Sequence, residues 1–208
     1  MNYKARDYLG IGSLFILIIT VTIALVIWAI PLYQFSLKHL NIPETVGISF
    51  EQIMKNYYIL LEYLHFPWIK TLSLPDFSVS ASGALHFYEV KILFYLNYAL
   101  LFISLISGVV YLRKLKQTAS FWKLIRPFQI AIFIPFVLLF VLALDFNWMF
   151  EMFHEILFNN DAWLFNPATD PIITVLPQEF FMYTFILAFI IVETCFISGY
   201  FYFKKRAY

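Results

Sequence analysis

The sequence predicts an all-α integral membrane protein: four transmembrane helices, with helical and short extended segments on the extracellular side. Three observations predict it. The first is composition: 62% of the residues are apolar and only 13% are charged, where a soluble domain carries roughly a quarter charged residues. The second is where the charges are missing. Residues 8–37, 92–112 and 127–144 carry none, and residues 180–203 carry only Glu193. A helix needs about 20 residues to cross a hydrocarbon core about 30 Å thick. All four runs reach that length, the third with its flanks. The third observation is the alternation of charge between the runs.

The first run is read as a retained span over about residues 10–33. It is too long for a signal peptide, and Tyr33, Gln34 and Phe35 do not resemble a cleavage site. Lys4 and Arg6 precede it. The second and third spans, about 91–112 and 127–147, enclose Arg113, Lys114, Lys116, Lys123 and Arg126. The fourth, about 180–202, is followed by Lys204, Lys205 and Arg206. Lys and Arg collect on the cytoplasmic side of a membrane, so both termini are expected there, in a single membrane domain over residues 1–208. The segment between spans three and four has the opposite character. It carries Asp145, Glu151, Glu155, Asp161, Asp170 and Glu179 and no Lys or Arg.

The two outward segments, 38–90 and 148–179, are far longer than the usual helix connection of about 2–8 residues, and they hold all four histidines. Function is expected in them. In the first, Asn41-Ile42-Pro43-Glu44 signals a turn. Ser49 and Gln52 have capping-box spacing and open a helix to about Leu64. Phe50, Ile53, Tyr57, Leu60, Leu61 and Leu64 recur near a 3.6-residue period on it, giving it an amphipathic face. Leu72, Leu74 and Phe77 alternate with polar residues, as a short extended piece would. Ser80-Ala81-Ser82-Gly83 leads into a helix that carries His86 into span two.

In the second segment, Phe150, Phe153, His154, Leu157 and Phe158 recur at three- and four-residue spacing, so His154 shares an apolar face. Pro167, Pro171 and Pro177 then argue for an irregular loop. The aromatic density suits a membrane interface.

His86 precedes the second span and His154 follows the third, so alternating spans put both on one side of the membrane. Histidine titrates near neutrality and suits general acid–base work. The pair can serve one substrate, or each ring can be an interfacial hydrogen-bonding group. Glu89, three residues after His86, and Glu151 or Glu155 beside His154 are candidates to orient the rings. Two histidines with carboxylates can also bind zinc or iron, but no HExxH spacing is present and no metal is expected. Cys195 alone builds neither a disulfide nor a cysteine metal site, and within a span it reads as a small apolar packer. Glu193 is costly inside a span and is expected to face the bundle interior or water. No G-x-S-x-G, nucleotide loop or nucleic-acid footprint is present. The paired broken helices of a transporter are missing too.

The run Phe153-His154-Glu155-Ile156-Leu157-Phe158, Trp163-Leu164-Phe165-Asn166-Pro167, Asp170-Pro171-Ile172-Ile173 and Leu176-Pro177-Gln178-Glu179-Phe180-Phe181 resembles the lipoprotein intramolecular transacylase family, Lit, of Gram-positive bacteria. Phe77-Ser78 and His86-Phe87-Tyr88-Glu89-Val90-Lys91 resemble its other motif. There the family usually has Asp-Val-Lys where this chain has Glu89-Val90-Lys91, and Ser82 and Gly83 stand where a charge is expected. The resemblance covers nearly the whole chain.

It implies a cell-membrane acyltransferase. Its substrate would be the diacylglyceryl-modified N-terminal cysteine of a lipoprotein, and the acyl chain would move from the glycerol sn-2 oxygen to the cysteine α-amine. The product is a lyso-form lipoprotein. No cofactor is needed, because an ester is exchanged for an amide within one molecule. The family's two essential histidines match His86 and His154. Tyr88, Tyr57, Tyr58 and Tyr63 are candidate donors, and Phe153 and Trp163 are candidate substrate-facing aromatics. The partners implied are lipoproteins and membrane lipids, with the protein itself a monomer. A non-catalytic lipoprotein- or lipid-binding or assembly protein is the alternative.

Overall fold

The computed structural model describes residues 4–207. Its elements in chain order are the helices α1 (Ala5–Ile27), α2 (Ile30–His39), α3 (Ile42–Val46), α4 (Phe50–His65), α5 (Ala81–Gln117), α6 (Trp122–Ala131), α7 (Phe133–Leu144), α8 (Phe146–Leu157) and α9 (Gln178–Arg206), with a 3₁₀ turn over Pro171–Thr174 before α9. Among the described residues there is no strand. The fold is all-α, as the charge-free runs predict. Four helical stretches are long and apolar enough to cross a membrane: Ala5–Ile27, Ala81–Gln117, Trp122–Leu144 and Gln178–Arg206. Only 11–22% of their most apolar windows is buried within the protein, so most of that surface is left for lipid. This is a multi-pass membrane protein.

Local sequence explains where the helices stop. The first ends at Ile27, short of the 33 expected, and α2 restarts with Pro31 in its first turn. Proline suits a first helical turn because its missing N–H is not needed there. The third crossing is interrupted at Ile132, between α6 and α7. Pro135 is the cause: it has no N–H for the carbonyl of Ala131, and its ring crowds that carbonyl. The extended piece expected around Leu72 is present as irregular chain. Leu74 and Phe77 are buried, but the backbone bonds to side chains such as Asn56 and forms no strand ladder.

The chain divides into two compact units. The first comprises residues 1–28, 97–145 and 185–208; the second comprises 29–96 and 146–184. The core of the first is Leu14, Tyr111, Leu115, Leu124, Phe128, Ala131, Phe196 and Phe203. Two glycines let rings lie directly on helix backbones there: a Cβ on Gly10 would collide with Tyr111, and one on Gly199 with Phe128. Among the described residues of this unit, one ion pair has a buried carboxylate. Asp7, only 2% exposed, accepts from Lys123 Nζ at 2.9 Å and from the Lys4 backbone N–H at 3.0 Å. Lys123, one of the basic block between spans two and three, is thus paired rather than free in solvent.

The second unit is built on α4. Its capping box forms as predicted: the Gln52 N–H donates to Ser49 Oγ, and the Ser49 N–H to Gln52 Oε1, both at 3.2 Å. The apolar face of α4 (Ile53, Tyr57, Leu60, Leu61 and Leu64) lies in the core with Tyr33, Leu37, Phe87, Ile172, Val175 and Phe180. Tyr33 stacks on Tyr57 with ring centroids 3.9 Å apart, and its hydroxyl donates to the Val175 carbonyl at 2.8 Å. Asn56 is fully buried on α4. It donates to Asp76 Oδ2 at 2.7 Å and so ties the irregular 66–80 segment down. Lys91 closes the same segment from α5, donating to the carbonyls of Phe66 at 2.9 Å and Ile69 at 2.6 Å.

Candidate active site

The candidate site lies in the second unit, where α5, α8 and the 158–177 loop supply its residues. His86 occupies the second turn of α5. The start of that helix is fixed by a divided capping box. Ser80 caps it, accepting from the Gly83 N–H at 3.0 Å. A capping box would return a bond from the third helical residue to the backbone of the cap. That residue is Gly83, which has no side chain. Asp170 supplies the bond instead, accepting from the Ser80 N–H at 2.8 Å. A Cβ at Gly83 would collide with the Asp170 carboxylate, so glycine is what makes the approach possible.

Asp170 is 3% exposed, and its other oxygen accepts from the Thr169 hydroxyl at 2.8 Å. Burial alone would raise its pKa. The Ser80 backbone N–H and the Ser80 and Thr169 hydroxyls outweigh burial and hold the carboxyl below its ordinary value. A negative charge at a helix N-terminus also complements the helix dipole.

His154 sits on α8, and the aromatic period of that helix places it among rings. It stacks on Trp163 with centroids 4.8 Å apart. It also touches Phe150 at 4.2 Å, Phe158 at 5.7 Å and Phe153, edge-on, at 5.5 Å. Its Nδ1 lies 2.7 Å from the Phe150 carbonyl. A carbonyl oxygen can only accept, so Nδ1 carries the proton and Nε2 of the neutral ring is a bare acceptor. Burial lowers the pKa of the imidazole from its ordinary value; the Phe150 bond opposes this only in part. Neutral His154 is therefore the dominant form at pH 7.

The two rings meet. His86 and His154 have centroids 5.9 Å apart, and Phe158 touches both, lying 4.7 Å from His86. Phe165 adds an edge contact to His86 at 5.4 Å. His86 is only 7% exposed, and its buried Nδ1 has no hydrogen-bond partner within the protein.

The carboxylates expected to orient these rings do something else. Glu151 and Glu155 are solvent-exposed, and His154 Nδ1 bonds to the helix backbone instead. The spacing from Glu151 was suitable, but the carboxylate side of α8 turns away while the ring packs inward. Glu89 is half-buried and accepts from Asn160 Nδ2 at 2.7 Å rather than bonding His86. Tyr88 and Tyr58 are exposed, while Tyr57 belongs to the core. Tyr63 lies under the Lys91 ammonium at 4.3 Å. Phe153 is 39% exposed and Trp163 half-buried, so both border the pair. Among the described residues, no three His, Cys, Asp or Glu side chains are gathered as metal ligands.

Asp170 and Asn160 were missed as supporting residues. The available signals were Gly at the third position of the helix and Asp-Pro in the loop, but nothing in the sequence joins them.

The arrangement has a partner among solved structures. The membrane-integral lipoprotein intramolecular transacylase Lit from Bacillus cereus superposes with a TM-score of 0.91 at 27% identity, over 97% of this chain and 94% of that one. The same protein with one histidine replaced by arginine matches with a TM-score of 0.83 at 27% identity, over 97% and 90% of the two chains. No curated protein sequence matches. The family model described as lipoprotein intramolecular transacylase Lit matches residues 8–181. With the model spanning most of the chain, this protein belongs to the lipoprotein intramolecular transacylase family of acyltransferases.

Proposed function

We propose that this protein moves the sn-2 acyl chain of a diacylglyceryl lipoprotein onto the α-amine of its N-terminal cysteine, with His86 and His154 as the reacting pair. The observation that carries the assignment of residues is the meeting of the two rings at 5.9 Å, one of them held in a single tautomer.

The neutral amine attacks the ester carbonyl carbon, and the C–N bond forms as the carbonyl π electrons move to oxygen. The nitrogen becomes positive and passes a proton to Nε2 of His154. The tetrahedral intermediate then collapses, the carbon–oxygen bond to glycerol breaks, and the imidazolium returns its proton to that oxygen. His86 stands across from His154 and donates its ring N–H to the oxyanion. One ester becomes one amide and one hydroxyl, with no second substrate. Trp163 and Phe153 line the approach for the acyl chain. Because amine and ester belong to one molecule, the rate gain comes mainly from holding them in register.

The basic residues Lys4, Arg6, Arg113 to Arg126 and Lys204 to Arg206 support cytoplasmic termini by the positive-inside rule. The histidine pair then faces the outer leaflet, where a mature lipoprotein is anchored. The protein works as a monomer, its substrates being lipoproteins.

The test is mass spectrometry of a diacylglyceryl lipopeptide incubated with the purified protein in detergent. The expected product has unchanged total mass and one acyl fragment on the amine. His86→Ala and His154→Ala should each slow its formation by about 10²–10⁴-fold. Full activity in either variant removes that residue from the mechanism. An unaltered lipopeptide beside a working control enzyme would leave a lipoprotein-binding protein.

A further inference from the structure

We infer that Glu89, held by Asn160, is the subsite that receives the substrate's α-amine; this rests on the transacylase reading above. In the second unit, three buried side-chain polar atoms among the described residues lack a partner: His86 Nδ1, Glu89 Oε2 and Tyr95 Oη. A buried polar atom without a partner is costly and calls for an explanation. Two of the three belong to residues three apart on α5, a spacing that puts side chains on one helix face. The carboxylate oxygen of Glu89 can only accept, so what it lacks is a donor, whereas His86 Nδ1 accepts or donates according to the tautomer.

Glu89 is built for such a role. Its Oε1 is fixed by Asn160 Nδ2 at 2.7 Å. Asn160 is itself fixed, its Oδ1 accepting from the Ala162 N–H at 2.9 Å. The carboxylate therefore does not rotate freely, and Oε2 keeps one direction. Asn160 follows closely on Phe158, whose ring touches both histidines, so the strut is tied in sequence to the ring that joins the pair.

The missing donor matches the substrate. The α-amine of the cysteine carries N–H groups beside the reacting ester, and the diacylglyceryl group itself carries none. A carboxylate accepting one of them turns the nitrogen lone pair toward the ester carbon. It also becomes more favourable as the C–N bond forms, because the attacking nitrogen turns positive in that step. Interactions that strengthen in the transition state raise the rate. Glu89 thus complements the nitrogen while the His86 N–H complements the oxygen.

The test uses two probes that cannot react: a dialkylglyceryl ether lipopeptide with a free α-amine, and the same molecule with hydrogen in place of the amine. Their binding to the purified full-length protein is measured in detergent by thermophoresis. The wild type should bind the amine probe about tenfold more tightly, as a hydrogen bond to a charged group implies. Glu89→Gln keeps the Asn160 bond and should weaken only the amine probe, bringing the two affinities together. Asn160→Ala keeps the charge but frees it, and should give an intermediate ratio; it also carries the test should the glutamine variant fail to fold. A wild type that does not discriminate, or variants that weaken both probes equally, would overturn the assignment. Binding is read without turnover, so an absence of transfer would count against the proposed reaction and leave this result readable.

Discussion

In the first unit, glycines bring rings against helix backbones at Gly10 and Gly199, and the buried polar contacts join helix to helix: Asp7 with Lys123 and Tyr111, and Asn97 with the Thr20 carbonyl. In the second, polar contacts recur: Tyr33 to Val175, Asn56 to Asp76, Lys91 to Phe66 and Ile69, and Asp170 to Ser80. Each ties a loop or irregular segment to a helix. The difference follows from what each unit holds. Spanning helices satisfy their own backbones and need only close packing. A histidine pair carried on two helices, α5 and α8, needs directional bonds to act on one substrate, because misplacement by about 1 Å can cost about 10²-fold in rate.

Four measurements sharpen or break that contrast. Lys123→Ala leaves the buried Asp7 carboxylate with only the Lys4 N–H and the Tyr111 hydroxyl and should lower stability by about 3 kcal/mol, read as thermal unfolding in detergent. Transfer measured well below the transition should stay within about twofold. A large rate loss there would mean that the first unit does more than support.

Gly83→Ala should do the reverse. It drives Asp170 off the helix start and should slow transfer by about 10²-fold, with a smaller change in unfolding temperature. Unchanged transfer would show that the clasp does not position His86.

The third measurement is a pH profile. Burial holds His154 below its ordinary pKa, so its basic form persists to lower pH, and activity falls only as pH drops through that lowered value. Trp163→Ala opens the ring to water and should move the acid limb upward, toward the ordinary histidine value of about 6.5. A limb that stays in place would assign it to another group.

The smallest effect is expected at Gly12, where a Cβ meets nothing within 4 Å. Gly12→Ala should stabilise α1 by up to about 1 kcal/mol, in contrast to a clash at Gly10. Destabilisation would mean that the α1 face is covered.

Much of the fold was legible because its signals are local or compositional. Three charge-free runs and a fourth interrupted only by Glu193 marked the four crossings, and Ser49 with Gln52 marked the start of α4. The interruption at Ile132 was written in Pro135, a signal easily lost inside an apolar run. In the site, the aromatic period of α8 correctly placed His154 on a packed face. The same periodicity did not find the ring's partner, since a side chain that bonds its own helix at Phe150 needs no acid nearby. Asn160 with Glu89, and Asp170 with Ser80, are 71 and 90 residues apart. No period or spacing connects such pairs; only the folded chain does.

The divided capping box also sets an order of assembly. Ser80 leaves the ribosome 90 residues before the carboxylate that completes its cap. At about 5–20 residues per second, the start of α5 waits on the order of 5–20 seconds for Asp170. The chain that delivers Asp170 has by then already delivered His154. The helix start that carries His86 therefore gains its second capping bond only after His154 has been synthesised, so the full support of the histidine pair is a late event in the making of the chain.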